Sequence, residues 1–374
     1  MKKILMLSLA LPFTALCAPK YNVPFSWDTV PVYAHLANMS NGFSDEQHDF
    51  LAEHFDFITI EKGHAKRKYG STEQGFAIAV KEIKKRNPKA TVLFYWNSCI
   101  KIGGYKLNEQ FPEGGELVNL EGEPMTIFSS PFSDLSQKAV QTWWADTAEF
   151  AVKKCGADGI FVDAIGKYST RGRITACGQE KCDALNDGMI AMVKDTRRRI
   201  GPSKILIQNG INLDPDDIGA RMLNVTDGAM KEHFVTATPG KKEKLAADIE
   251  TLHTVAKSGK ILAVKAWPEF DWRDKAMMDK PKEEREKMAR ESITFPLACY
   301  LLIAEPYSYF CYTWGYQGDD TGTFVWYPEF DQPLGPPKGD FQRQGWKYRR
   351  EFAHASVFVD LETWEAKIDW KYKL

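Results

Sequence analysis

Residues 156–166 read GADGIFVDAIG. An Asp158-Gly159 turn opens the segment, the apolar run GIFV follows, and Asp163 comes next with no polar buffer. A short, continuous apolar run marks a parallel strand covered on both faces; a strand with one wet face would alternate. The segment therefore predicts a buried strand that ends on a carboxylate. An aspartate there either caps a nearby loop or does chemistry.

Runs of the same kind recur on both sides. Strands are predicted at 32–36, 57–60, 91–96, 159–162, 204–208, 228–231, 261–265 and 309–313. Helical patterns lie between most of them, at 44–54, 74–86, 138–154, 183–200, 241–258 and 282–302. The first opens on a Ser-Asp-Glu cap, and the second sets Phe76, Ile78, Ala79, Val80 and Ile83 at helical spacing. Strand–helix alternation means either a closed (β/α)8 barrel or an open doubly wound sheet. No glycine-rich phosphate loop follows any strand, eight strands fit the length, and several strands end in polar residues. The expected fold is an α/β, single-domain (β/α)8 TIM barrel over residues 19–374. From Gly315 the chain reads as loop, with a last helix near 347–358.

The first twenty residues, MKKILMLSLALPFTALCAPK, have the charged, apolar and small-residue order of a secretory signal peptide. Residues 1–18 are expected to be removed, giving a secreted or periplasmic protein; the bulky Leu16 argues against lipid attachment at Cys17. No later stretch predicts a membrane span. A formal net charge of −1 gives no reason to expect nucleic acid or an anionic membrane as partner. Aromatic residues make up 13% of the chain, including 11 Trp, enough to supply flat faces for sugar rings as well as a core. In an exported chain, Cys177 and Cys182 in CGQEKC are the pair expected to form a disulfide. Cys99, Cys155, Cys299 and Cys311 can be buried thiols.

In such a barrel the catalytic side chains come from the C-terminal ends of the strands. Those ends carry Glu61 and His64, then Tyr95, Trp96 and Asn97, then Asp163, then Gln208 and Asn209. Lys231, Glu232 and His233 follow, then Lys265, Trp267 and Glu269, then Tyr312 and Trp314. Carboxylates, amides and aromatics thus crowd one rim. Asp163 leads. Glu232, flanked by Lys231 and His233, is the expected partner, with Glu61 and Glu269 as rivals; Lys62 and Lys66 make an ion-pair network equally apt for Glu61. The remaining polar and aromatic residues are candidate substrate contacts.

A pair of carboxyl groups, one protonated and one ionised, suits glycosidic cleavage: it supplies a proton to the leaving oxygen and an anion to the anomeric carbon. Strand one carries a single His35 rather than an HxH pair, so a metal shared by His35, His64, His233, Asp163 and Glu232 is not expected, nor is any cofactor. A non-catalytic carbohydrate-binding barrel and a metal-dependent barrel hydrolase or deacetylase are the alternative functions for this rim.

The segment ADGIFVDAIG resembles the DGxFxD element of barrel glycoside hydrolases in the α-galactosidase-like superfamily, which includes the endo-α-1,4-polygalactosaminidases. Together with ITIEKGH, FYWNS, IQNG and KEHF, it is most similar to an uncharacterised, hypothetical glycoside hydrolase-like family. The resemblance spans about Val30 to Trp314. It implies a nucleophile at Asp163 and an acid/base at Glu232, although better-known members often carry Asp on strand six.

Overall fold

The computed structural model describes residues 20–235, 241–318 and 320–372. The leader at 1–18 lies outside them. Eight parallel strands form one sheet in chain order: β1 (Ala34–Leu36), β2 (Phe57–Ile60), β3 (Thr91–Asn97), β4 (Gly159–Asp163), β5 (Ile205–Asn209), β6 (Gly228–Phe234), β7 (Ile261–Ala266) and β8 (Ser308–Tyr312). A parallel bridge from Val32 to Phe310 joins the last strand to the first, with the Tyr33 N–H donating to the Phe310 carbonyl at 2.8 Å. The sheet is a (β/α)8 barrel.

Alternation along the strands sorts side chains into two layers. Tyr33, Phe57, Leu93, Tyr95, Phe161, Ile207, Met230, Ala263 and Cys311 form one buried cluster that fills the barrel. Their neighbours Ile58, Phe94, Trp96, Ile160, Val162 and Leu206 pack outward against the helices. Gly159 explains the Asp-Gly start of β4: a Cβ there would lie 1.9 Å from the Ile205 carbonyl oxygen. Asp158 beside it accepts the Val92 N–H at 3.0 Å and Lys84 Nζ at 2.7 Å, which pins the strand's lower end.

The helices begin where their caps predict. Ser44 and Gln47 form a reciprocal capping box on Asp45–His54. Ser71 caps Thr72–Arg86. The predicted helix at 282–302 is two, Lys282–Ser292 and Thr294–Ile303. Pro296, which has no N–H to donate, sits in the first turn of the second, where none is required. Among the described residues no helix is long and apolar enough to cross a membrane.

Two expectations are corrected. The last helix near 347–358 is instead part of an antiparallel sheet of four strands: β9 (Gln342–Gln344), β10 (Lys347–Glu351), β11 (Ala355–Asp360) and β12 (Glu365–Trp370). Burial along β10 alternates strictly, with Tyr348 and Arg350 inward, a period of two that no helix has. Arg350, 2% exposed, donates to the Leu302 and Ala304 carbonyls, both at 2.8 Å, and pairs with Glu305 at 2.6 Å. It thereby satisfies the carbonyls that Thr294–Ile303 leaves open at its C-terminus, and the sheet packs against that helix. The second correction concerns Cys177 and Cys182, which are both free and buried. Cys177 ends the helix Arg171–Cys177 and sits 3.1 Å from the Met125 sulfur, whereas Cys182 belongs to the first turn of Gln179–Ile200. The intervening Gly178 ends one helix and starts the next, so the two cysteines belong to different helices.

Candidate active site

Strand parity decides which rim residues face the barrel mouth. Asp163 ends β4, two residues beyond the inward Phe161; Asn209 ends β5, two beyond Ile207; Glu232 lies on β6, two beyond Met230. These three meet. Asn209 Nδ2 donates to Asp163 Oδ1 at 2.8 Å and to Glu232 Oε2 at 3.0 Å. The two N–H bonds of a planar amide diverge by about 120°, which sets those oxygens roughly 5 Å apart.

Each carboxylate takes a tyrosine on its other oxygen. The Tyr95 hydroxyl donates to Asp163 Oδ2 and the Tyr316 hydroxyl to Glu232 Oε1. Asn97 Nδ2 lies 3.1 Å from the Tyr95 hydroxyl, and its own Oδ1 is fixed by the Cys99 and Ile100 N–H groups at 3.0 and 2.8 Å. The pair opens into a cavity of 840 Å³ whose wall includes Lys62, Tyr95, Asn97 and Asn209. That volume suits a small-molecule or saccharide ligand.

The electrostatics separate Glu232 from Glu61. Burial raises the Glu232 carboxyl above its ordinary value and the Asp163 charge adds to this, while Asn209 and Lys265 oppose it. Lys265 is fully buried, and burial lowers its pKa. Its ammonium lies 4.0 Å over the Tyr316 ring and 3.3 Å from the His35 carbonyl. Glu61 is buried as well, yet Lys62 at 2.6 Å and His35 at 2.8 Å outweigh the burial penalty and hold it at about 2. Glu61 is thus a locked anion.

The remaining candidates divide by parity and by loop. Trp96 points outward, its indole N–H on the Trp144 carbonyl at 3.3 Å. Gln208, fully buried, donates to the Gly219 carbonyl at 2.8 Å and accepts from the Thr226 hydroxyl at 3.0 Å. Lys231 pairs with Asp248 at 2.9 Å, and the Tyr312 hydroxyl lies 3.0 Å from Ser292 Oγ, both on the helical layer. Trp314 is core, donating to the Asp320 carbonyl at 2.8 Å. His64, held neutral by burial at about 3, accepts the Asn38 N–H at 3.1 Å. His233 stacks on Trp267 with ring centres 5.2 Å apart. His35, His64 and His233 therefore have separate partners. Glu269 is exposed and lines a second cavity, away from Asp163. Among the described residues one group, His253, Glu305 and Asp340, lies close enough to share a metal, and Arg350 and Lys257 already neutralise its carboxylates.

Tyr316 was not among the sequence candidates, and Lys62 was named only as an ion-pair partner for Glu61, which it is. Tyr316 sits in a loop beyond β8, where no periodicity announces it. Tyr95 was legible by parity, two residues before Asn97.

A model of hypothetical glycosyl hydrolase family 15 matches residues 84–356, from the helix before β3 through β8 to the start of β11. The chain belongs to that family. Membership makes it a glycoside hydrolase by class. No curated protein sequence matches it. The solved structures it is similar to share its fold. One is a maltogenic α-amylase from Thermotoga neapolitana, at 12% identity and TM-score 0.53, covering 88% of this chain and 84% of that one. An α-amylase from Geobacillus thermoleovorans aligns at 12% identity and TM-score 0.51, covering 90% and 87%. An Anoxybacillus α-amylase aligns at 11% identity and TM-score 0.50, covering 90% and 88%. At these identities the likeness speaks for the barrel alone.

Proposed function

We propose that this family 15 chain is an exported, retaining glycoside hydrolase in which Asp163 is the nucleophile and Glu232 the general acid/base. The observation that carries the reading is the single Asn209 amide that donates to both carboxylates. The oxygen separation it imposes, roughly 5 Å, matches the close spacing of retaining enzymes and is too short to seat a water between the carboxyls for direct inversion.

The roles follow from the surroundings. Burial favours the protonated form of Glu232, so it begins the cycle with a proton to give. Asp163 accepts hydrogen bonds from Asn209 and Tyr95, which hold its carboxylate in place at the barrel mouth. Asp163 attacks the anomeric carbon while Glu232 transfers its proton to the departing glycosidic oxygen. Glu232, now ionised, takes a proton from water, whose oxygen displaces Asp163 and restores the starting state. Export rests on the leader sequence, and its test is the N-terminus of the mature protein from the culture fluid or periplasm.

The roles are tested with 4-nitrophenyl glycosides and homologous oligosaccharides. Asp163→Asn is expected to abolish turnover of every substrate the wild type cleaves. Glu232→Gln is expected to lose unactivated oligosaccharides yet keep glycosides whose leaving group needs no proton. Full activity in Asp163→Asn would overturn the assignment. Sugar binding without turnover in the wild type would favour the non-catalytic binding barrel instead.

A further inference from the structure

We infer that the second cavity at the barrel mouth is a saccharide subsite for the part of the substrate beyond the scissile bond, so that the enzyme acts on oligosaccharide chains. This rests on the glycoside hydrolase reading of Asp163 and Glu232. The cavity, 710 Å³, is lined by Val235, Trp267, Glu269, Phe270, Phe295 and Trp364 among others. It starts within three residues of Glu232 on the same strand-to-loop segment, and Trp267, at the end of β7, is part of its wall. Trp267 stacks on His233 and meets Tyr316 edge-on at 5.5 Å, and Tyr316 holds Glu232. One aromatic thickness therefore separates the cavity from the proposed acid.

Its chemistry is that of a sugar site. A sugar ring offers an apolar C–H face and a rim of hydroxyls, so it needs aromatic walls and a few polar groups. Trp364 and Phe295 pack with ring centres 5.3 Å apart on one side. Trp364 sits at φ +57° in the turn joining β11 to β12, a conformation bulky residues rarely adopt, so the C-terminal sheet presents this side chain at a conformational cost. Two polar groups await partners. The Trp267 indole N–H is buried and finds no acceptor, although Trp267 is only 2% exposed. The Glu269 carboxylate is exposed, so its oxygens are open to accept from hydroxyls. Asp271 and Asp274 on the same wall are already engaged, by Arg273 and by the Met277 N–H at 3.1 Å.

A bond cleaved at Asp163 and Glu232 has two sides. With one side in the 840 Å³ cavity, the inference assigns the other to this one, on the far side of Trp267 and Tyr316.

The experiment uses the full chain with 4-nitrophenyl monoglycosides and the homo-oligosaccharides, two to six units, of glucose, galactose, glucosamine and galactosamine. Wild-type kcat/KM should rise with chain length in the series it cleaves. In Glu269→Ala and in Trp364→Ala, the ratio of kcat/KM for the six-unit chain to that for the monoglycoside should fall roughly tenfold. Glu269 is exposed, so its variant keeps the test valid if Trp364→Ala folds poorly. A wild type indifferent to chain length, or a length dependence that neither variant changes, would overturn the subsite and leave the hydrolase reading intact. Failure to cleave any member of the panel would sink both.

Discussion

Glu61 is a buried carboxylate and Glu232 a half-buried one, at inward positions on opposite sides of the barrel, and their surroundings drive them apart. Glu61, after β2, is gripped by a lysine and a histidine and held at about 2. Glu232, on β6, receives only neutral donors on its oxygens, from Asn209 and Tyr316, and burial lifts it. A cation in contact fixes charge; the neutral Asn209 donor opposes the burial of Glu232 only in part, and the acid stays raised. That difference separates a structural anion from a candidate acid, a distinction that residue type alone could not make. The family match, which begins at residue 84, includes Glu232 and stops short of Glu61.

The largest effect expected is at the nucleophile: Asp163→Asn should lower kcat by at least ~10⁴-fold with no comparable loss of stability, read by kinetics beside a thermal melt. Glu232→Gln should cost about 10²–10⁴-fold on unactivated substrates. Glu61→Gln should show the opposite balance. Removing the anion leaves the buried His35 and the part-exposed Lys62 without their shared acceptor, and a loss of about 1–3 kcal/mol is expected in denaturant unfolding. If Glu61→Gln proves as inactive as Asp163→Asn while folding normally, the two sectors have been assigned the wrong way round.

The pH dependence sharpens the contrast. Because the folded Glu61 titrates at about 2, below its ordinary 4.5, its contribution is fully present above pH 4.5 and is lost as pH falls toward 2. The stability gap between wild type and Glu61→Gln should close across that window, measured by melts at stepped pH. Glu232 is raised, so activity should hold to higher pH than an ordinary glutamate would allow, and fall once it deprotonates. The smallest effect is at Lys265, whose positive charge lowers Glu232. Lys265→Met should move the basic limb of kcat/KM to higher pH; no move, or a move to lower pH, would mean the two groups do not couple.

Much of the fold was legible because buried parallel strands leave continuous apolar runs. β2 has the predicted bounds, and the other seven differ by a residue or two at one or both ends, apart from the three further residues of β6. The tail was not legible by that rule. Lys347–Glu351 reads KYRRE, in which the buried Arg350 passes for a surface residue, so the two-residue period is hidden. At the site, listing strand ends found Asp163, Asn209 and Glu232. It also collected Trp96, Gln208, Lys231 and Tyr312, one position out of phase and so facing the helices. Parity, anchored on the residue two before each, would have removed them. Tyr316 had no such anchor.

The most direct test of the central claim is covalent trapping. The wild type is incubated with a 2-deoxy-2-fluoroglycosyl fluoride of the sugar it cleaves, digested, and mapped by mass spectrometry. A single glycosyl ester on Asp163, absent in Asp163→Asn, is the expected result. A glycosyl ester on any other carboxylate, or inverted product with no adduct, would contradict the account.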